Sequence, residues 1–553
     1  MASLGAAHLP LLRRVASLVA AVAMCGACTA GPGPEPGVAV IVAEQQSSWV
    51  RNFNPFLPAG VSRWGSRFVI HEPLAVFSGT QQVFVPWLAT SWTWSDDRTR
   101  LVVQLRQGVA WSDGAPFTAD DVVFTFRLML RTRALDTQLL SGFLADVRAE
   151  DGAVVFDLKH AYSPGLADIL QVPIVPAHVW ADVDDPVAFA NPNPVGTGPY
   201  TAVAAFSDQS FELGRNPHAW ARVERPLRAL RFPAMMSNEQ VTQGLARGEI
   251  DWAGAFVPQP ERVFVDGDRE HRDAWSPPLG GMVFLYASHL TPPFDQQAVR
   301  EAISLAIDRE RVVDTALQGL TVASPASGMS DALGAWRDPS VACSWIGHDP
   351  SRAVALLEQA GGVRDSRGWF QFDGAPFAPD VAVVAGWSDQ VRAARLVVRD
   401  LQAIGVHAHL RTLDFGAWYD RLQRGEFALS FGWSLEGASP YVYWRSLLSE
   451  ATRKPQGEPV QVNWQRSGDV RSDALLEQLA SAQSDDLAQA AAFGLHRRFC
   501  EVAPAIPLYP NPAWGEANTA RVTGFPTSDD PYARLSPNHP PEPLLVVARL
   551  EAR

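Results

Sequence analysis

The sequence predicts an α/β protein whose domains are assembled from discontinuous stretches of chain. At 553 residues it is too long for one hydrophobic core and should divide into two or three domains. Short β-rich runs alternate with amphipathic helical ones throughout. Residues 101–105 and 154–158 read as strands, the second following the turn Asp151-Gly152. Thr118 is placed to cap a helix with Asp120 and Asp121 in its first turn, running through Val122, Phe126 and Leu130. Asp295 is expected to cap another, through Val299, Ile303 and Ile307. A third spans 353–360 and ends at Gly361-Gly362. A fourth covers 391–404, stopped by Gly405 and followed by a strand at 406–410.

Composition narrows the function. With 47% hydrophobic and 19% charged residues, the chain is of ordinary globular type. Its formal net charge is −13, from 59 acidic against 46 basic residues. No run of five basic residues occurs, so nucleic acid is not an expected partner, nor is anionic lipid. No stretch after the first thirty residues is apolar for long enough to span a bilayer.

The N-terminus has the form of a secretory signal: Arg13-Arg14, a short apolar stretch, then small residues. Gly26-Ala27-Cys28 resembles a lipobox, which makes residues 1–28 a lipoprotein signal peptide and Cys28 the acylated first residue of the mature chain. The alternative is cleavage near Ala30 without a lipid. Residues 29–37 form a Pro/Gly linker suited to holding a domain off a membrane. Outside the cytoplasm, Cys343 and Cys500 could be bridged or could remain two buried thiols. A bridge would close a loop of about 157 residues.

PWLATSWTWSDD from Pro86 leads into LRQGVAWSDGAPFTADDVVFTF from Leu105, with FNPF upstream at Phe53. VPAHVW from Val175, NPVGTGPY from Asn193, GRNPHAW from Gly214 and LARGEIDWA from Leu245 follow. PPFDQQAVREAISLAIDRE from Pro292, ALLEQAGG from Ala355 and PAIPLYP from Pro504 complete the set. In this order the motifs resemble those of the family 5 extracellular solute-binding proteins, the dipeptide, oligopeptide, nickel and oligosaccharide receptors of ABC importers. The resemblance implies a two-lobed periplasmic-binding-protein clamp of type II with an extra small domain. Lobe I would comprise 38–65, 195–278 and 502–553, the small domain 66–194, and lobe II 279–501. The chain would cross between lobes near Gly280-Gly281 and near Pro504 to Pro507, and the lobes would close about this hinge. Implied partners are an ABC permease and ATPase, with the receptor a monomer in the periplasm or on the outer face of the cell membrane, held by its lipid alone. Arg300 and Asp308 read as structural.

The ligand is expected in the interlobe cleft. In the segment FGWSLEGASPYVYWRSL from Phe431, peptide-binding relatives carry an Asp before the Pro to hold the peptide ammonium; here Ser439 precedes Pro440. Glu436 stands nearby as a substitute. In the loop after 381–384, dipeptide receptors place an Arg; this chain reads AGWSDQV. With those charged clamps missing, aromatic faces and polar side chains suit a sugar. The candidate ligand contacts are Trp433, Trp387, Glu436, Ser439, Tyr441 and Trp444, with Asn52 and Asn54 as polar contacts from lobe I; Trp418 reads as core. An oligosaccharide or a short peptide is the expected ligand, with nickel a further family option. His407 and His409 share a strand face but lack a third ligand, so no metal or other cofactor is expected. HExxH and GxSxG are absent, and the acid pairs Asp96-Asp97 and Asp120-Asp121 fall at a turn and a helix start, so the chain does not read as an enzyme.

Overall fold

The computed structural model describes residues 35–57, 66–136 and 139–553. The signal segment, Cys28, most of the linker and residues 58–65 lie outside the described residues. Among the described residues no helix is long and apolar enough to cross a membrane.

Gly37–Arg553 forms one unit around two large sheets. The first has seven strands, in the order Arg272–Ala274, Glu516–Asn518, Trp252–Ala253, Val38–Val42, Ala229–Pro233, Ser210–Arg215 and Tyr200–Phe206. Val38–Val42 lies near its centre, parallel to both neighbours and buried at all five positions. Burial on both faces explains its unbroken apolar sequence. A four-stranded antiparallel sheet, Ala89–Trp94, Arg100–Leu105, Ala153–Leu158 and Leu144–Glu150, is covered by the helix Ala119–Arg131. Thr118 and Asp121 close a reciprocal capping box at that helix's start.

The second large sheet runs His409–Leu413, Asp380–Val384, Leu429–Trp433, Met282–Ala287 and Ile506–Pro510. Alternate residues of Met282–Ala287 enter separate cores: Val283 and Leu285 join one, Phe284 and Tyr286 the other. The second of these cores holds the disulfide Cys343–Cys500.

Several boundaries differ from expectation. The helix after Asp295 is Gln297–Ala306 with Gln296 at its cap, and Asp295 makes no cap bond. The helix expected at 353–360 is Pro350–Gln359, started by Asp349, which accepts from the Arg352 amide at 2.9 Å, with Pro350 at its first position. The helix expected at 391–404 begins earlier, as Ser388–Ala403. Its following strand starts at His409, because the ladder to Asp380–Val384 begins there. The amides of Val406 and His407 bond instead to the carbonyls of Leu401 and Phe377. Asp308 has a structural place, capping Arg309–Ala316 through the Arg311 amide.

The chain passes between the two large sheets twice. It leaves one after Ala274 and enters the other at Met282; it leaves again after Pro510 and returns at Glu516. The second passage is therefore 511–515 and not Pro504 to Pro507, because Ile506–Pro510 is already a strand of the five-stranded sheet, paired with Met282–Ala287. The two passages bond to each other: the Gly280 amide donates to the Asn511 carbonyl at 2.8 Å, and the Asn511 amide to that of Gly281 at 2.6 Å. Gly281 takes φ +88°, and a β-carbon on Gly280 would lie 2.7 Å from the Asn511 oxygen.

Candidate ligand-binding cleft

Between the two large sheets lies a cavity of about 510 Å³, within the range of small-ligand sites. Gly280, Gly281, Asn511 and Pro512 from the two passages line it. On its five-stranded side Trp387, Phe415 and Trp433 form an aromatic wall, and Phe77, Phe256 and Trp514 line the cavity elsewhere. Trp433 is the last residue of Leu429–Trp433, and the Tyr286 hydroxyl fixes that strand end by donating to the Trp433 carbonyl at 2.9 Å. Trp387 occupies the cap position of Ser388–Ala403, with its ring 6.1 Å from that of Trp433. Phe415 completes the wall, 5.9 Å from Trp387. Behind it, Trp418 is buried and donates to the Ser430 hydroxyl at 3.1 Å, and Tyr419 stacks on Trp433 at 6.2 Å. The wall is therefore held by a second aromatic layer.

Carboxylates face the same space. Glu436 accepts from the hydroxyls of Ser330 at 3.0 Å and Ser434 at 3.3 Å. Burial pushes its carboxyl upward, opposed by the Ser330 bond and the nearby Arg534 charge. Asp389 is buried at the start of Ser388–Ala403, and burial pushes it up to about 6. The first-turn amides, Arg392 and Asn238 resist that rise.

Arg534 is the one guanidinium among the described lining residues. It is already engaged: Nε pairs with the buried Glu542 carboxylate, and Nη1 donates to the Leu279 carbonyl at 2.8 Å. Gly79 packs beside it: a β-carbon there would lie 2.7 Å from the Arg534 Cζ, so the guanidinium would have to shift. The Gly79 amide donates to Glu542 at 2.9 Å. His539 also lines the cavity, its imidazole held neutral by burial.

Trp433, Trp387 and Glu436 thus line the cavity, whereas the other residues singled out in the sequence do not. Ser439, Tyr441 and Trp444 belong to a capped helix, Pro440–Leu448, and not to a ligand loop. Ser439 is its cap, accepting from the Tyr441 amide at 3.4 Å, and Pro440 sits at its first position. Helical periodicity turns Tyr443, Trp444, Leu447 and Leu448 inward. Trp444 is 0% exposed and packs on Tyr443 and Phe499. Tyr441 meets the ring of Tyr162 at 5.7 Å. Asn54 is buried, donating to the carbonyls of Pro186 at 2.9 Å and Phe189 at 2.8 Å, while the Asn52 side chain accepts from the Asn54 amide at 3.0 Å. Both asparagines serve the local backbone. Arg534, Asp389, Asn238 and Gln45 line the cavity without having been singled out. Arg534 carries no local motif, whereas Asp389 lies in the AGWSDQV loop, where the sequence signal is a missing Arg.

Among the described residues no group of three or more His, Cys, Asp or Glu is placed to hold a metal. His407 and His409 lie with ring centres 4.5 Å apart, and Trp369 stacks on His407.

Residues 83–454, two thirds of the chain, match the family described as bacterial extracellular solute-binding proteins, family 5. The chain belongs to that family. This solute-binding protein is 26% identical over 412 residues to the nickel-binding periplasmic protein of Escherichia coli (strain K12), covering 70% of this chain and 74% of the relative. It is 26% identical over 499 residues to di/tripeptide-binding protein 2 of Pseudomonas aeruginosa (strain UCBPP-PA14), covering 84% and 89%. Among solved structures, a periplasmic oligopeptide-binding protein of an oligopeptide ABC transporter from Thermotoga maritima, with mannohexaose bound, superposes with a TM-score of 0.84. That match covers 94% of this chain and all of the other at 23% identity, and so speaks to the fold. The solute-binding protein thus has the two-lobed α/β clamp of the periplasmic binding proteins.

Proposed function

We propose that this extracytoplasmic receptor captures a short neutral oligosaccharide between its two large sheets and delivers it to an ABC permease. One observation carries the reading: an aromatic wall faces buried carboxyl groups, in a cavity whose guanidinium is already paired with Glu542. Aromatic faces cover the apolar face of a pyranose, and carboxyl oxygens accept from its hydroxyls. A ligand carboxylate would have to compete with Glu542 for Arg534. Trp387, Trp433 and Glu436 are the proposed contacts. The lobes are centred on the seven-stranded and five-stranded sheets, the four-stranded sheet forms the small domain, and Cys28 carries the anchoring lipid.

A second reading, a short peptide, is favoured by Glu436, a buried acid able to receive an ammonium group. The di/tripeptide-binding relative points the same way. Nickel transport, suggested by the other relative's name, lacks a clustered ligand set among the described residues.

Intrinsic fluorescence tests the first reading, because Trp387 and Trp433 report on anything seated against them. Titration with neutral oligosaccharides should shift the emission saturably, whereas a response to short peptides alone would transfer the assignment to them. Trp433→Ala should weaken oligosaccharide binding by about 1–3 kcal/mol, or about 5- to 150-fold in Kd, by calorimetry. An unchanged Kd would remove Trp433 from the site.

A further inference from the structure

The cavity is bounded on one flank by a contact between segments from opposite sheets. Gln45 follows the strand Val38–Val42, and Met236 to Asn238 follow Ala229–Pro233, both of the seven-stranded sheet. Gly386 to Asp389 follow Asp380–Val384 of the five-stranded sheet. The Asn238 amide donates to the Gly386 carbonyl at 3.1 Å. The Asn238 side-chain nitrogen donates to Asp389 Oδ1 at 3.1 Å and to the Ser388 hydroxyl at 3.4 Å. Its side-chain oxygen accepts from Gln45 Nε2 at 3.1 Å, and Gln45 Oε1 accepts from Trp387 Nε1 at 3.3 Å. The buried Asn238 thus sends its amide and its side-chain nitrogen across the gap between sheets, while its side-chain oxygen ties it to Gln45 on its own side. Gly386 permits the approach: a β-carbon there would lie 2.2 Å from the Met236 carbonyl oxygen, a backbone atom with little room to yield.

We propose that Gly386 and Asn238, with Gln45 and Asp389, form a latch that closes the cavity over its ligand and sets how long the ligand is held. The proposal rests on the reading of the cavity as a ligand site. The two sheets are joined covalently only by 275–281 and 511–515, so opening the cavity requires these hydrogen bonds to part. A matching contact joins the small domain to the five-stranded side. There the Ser163 amide donates to the Ala480 carbonyl at 2.7 Å, and Tyr162 packs on Tyr441. Tyr441 accordingly acts in closure and not on the ligand.

Closure by this latch also takes up a proton. The groups facing Asp389 are Asn238, Arg392, Tyr509 and the first-turn amides, and its carboxyl is pushed up to about 6 when buried. An opened latch returns it to water and to an ordinary carboxyl value. An acid with a raised value in the closed state favours closure at low pH, and that advantage fades as pH climbs through about 6. Between pH 5 and 7 the Asp389 contribution weakens affinity by about tenfold.

The test pairs hydrogen exchange of the ligand-free protein with ligand affinity for wild type, Gly386→Ala and Asn238→Ala. Exchange at the Asn238 amide should be slow in wild type and at least tenfold faster in Gly386→Ala. Affinity for the oligosaccharide identified by titration should fall at least tenfold, mainly through faster release. Asn238→Ala, which adds no bulk, should fall in the same direction, and Asp389→Asn should flatten the pH profile. An unchanged Kd in both latch variants, or an unprotected Asn238 amide in wild type, overturns the latch. If no sugar, peptide or metal binds wild type, the ligand reading fails by itself, and the exchange rates still decide whether the latch forms.

Discussion

Cys500→Ser, or reduction of the wild-type bond, is expected to lower the stability of this receptor by about 5 kcal/mol. Cys343 and Cys500 are bonded across a sequence separation of 157 residues, and closing so long a loop removes much entropy from the unfolded chain. The bond sits in the core that also holds Trp345, Trp444 and Phe499, and the Trp345 indole donates to the Cys500 carbonyl at 2.8 Å. It ties the segment around Cys343 to the helix Asp485–Val502. For a unit of this size the loss corresponds to a fall of about 5 °C in Tm. Calorimetry with and without dithiothreitol measures it, and coincident midpoints would contradict it. A dependence on oxidation fits a chain that works outside the cytoplasm.

Arg300→Met should cost about 3 kcal/mol or more. The Arg300 guanidinium is buried and bonds to four carbonyls: Ala503 at 2.9 Å, Val502 at 2.8 Å, Phe294 at 2.8 Å and Asp295 at 3.0 Å. Burial lowers its value to about 10, so it stays charged at neutral pH. Two of those carbonyls close the end of Asp485–Val502, where Ala503 turns left-handed at φ +46°. Methionine replaces the apolar stem but ends short of the guanidinium and leaves these acceptors unmet, and buried unmet acceptors are costly. Lysine should recover only part of the loss, having one point of charge in place of a planar fork. Urea denaturation separates the three proteins; a methionine variant as stable as wild type would refute the role.

How far the sequence reached depends on whether a feature is local. The strands expected at 101–105 and 154–158 coincide with Arg100–Leu105 and Ala153–Leu158, because a β-rich run and the Asp151-Gly152 turn are local signals. The Thr118 box was likewise legible, since both partners lie within one turn. The segment around Ser439 is aromatic-rich and has Ser where peptide-binding relatives carry Asp, yet Ser-Pro is also a helix-start pattern and its inward residues keep helical spacing. The strand after Gly405 was set three residues early, because alternation of Val406, Ala408 and Leu410 continues past the point where the ladder begins. The cleft itself is non-local. Asn238 meets Asp389 across 151 residues and Trp387 meets Gln45 across 342, and no periodicity signals such encounters. Arg534 pairs with Glu542 only eight residues on, but its place in the cavity depends on Leu279, 255 residues away, and no local pattern signals that.

The most direct measurement is a thermal-shift panel on the mature protein with neutral oligosaccharides, di- to pentapeptides and nickel chloride. A ligand at 100 times its Kd stabilises by about 2.7 kcal/mol, enough to move the midpoint visibly. Oligosaccharides should raise the midpoint while peptides and nickel leave it in place; a rise with peptides or nickel alone would contradict the proposed ligand class.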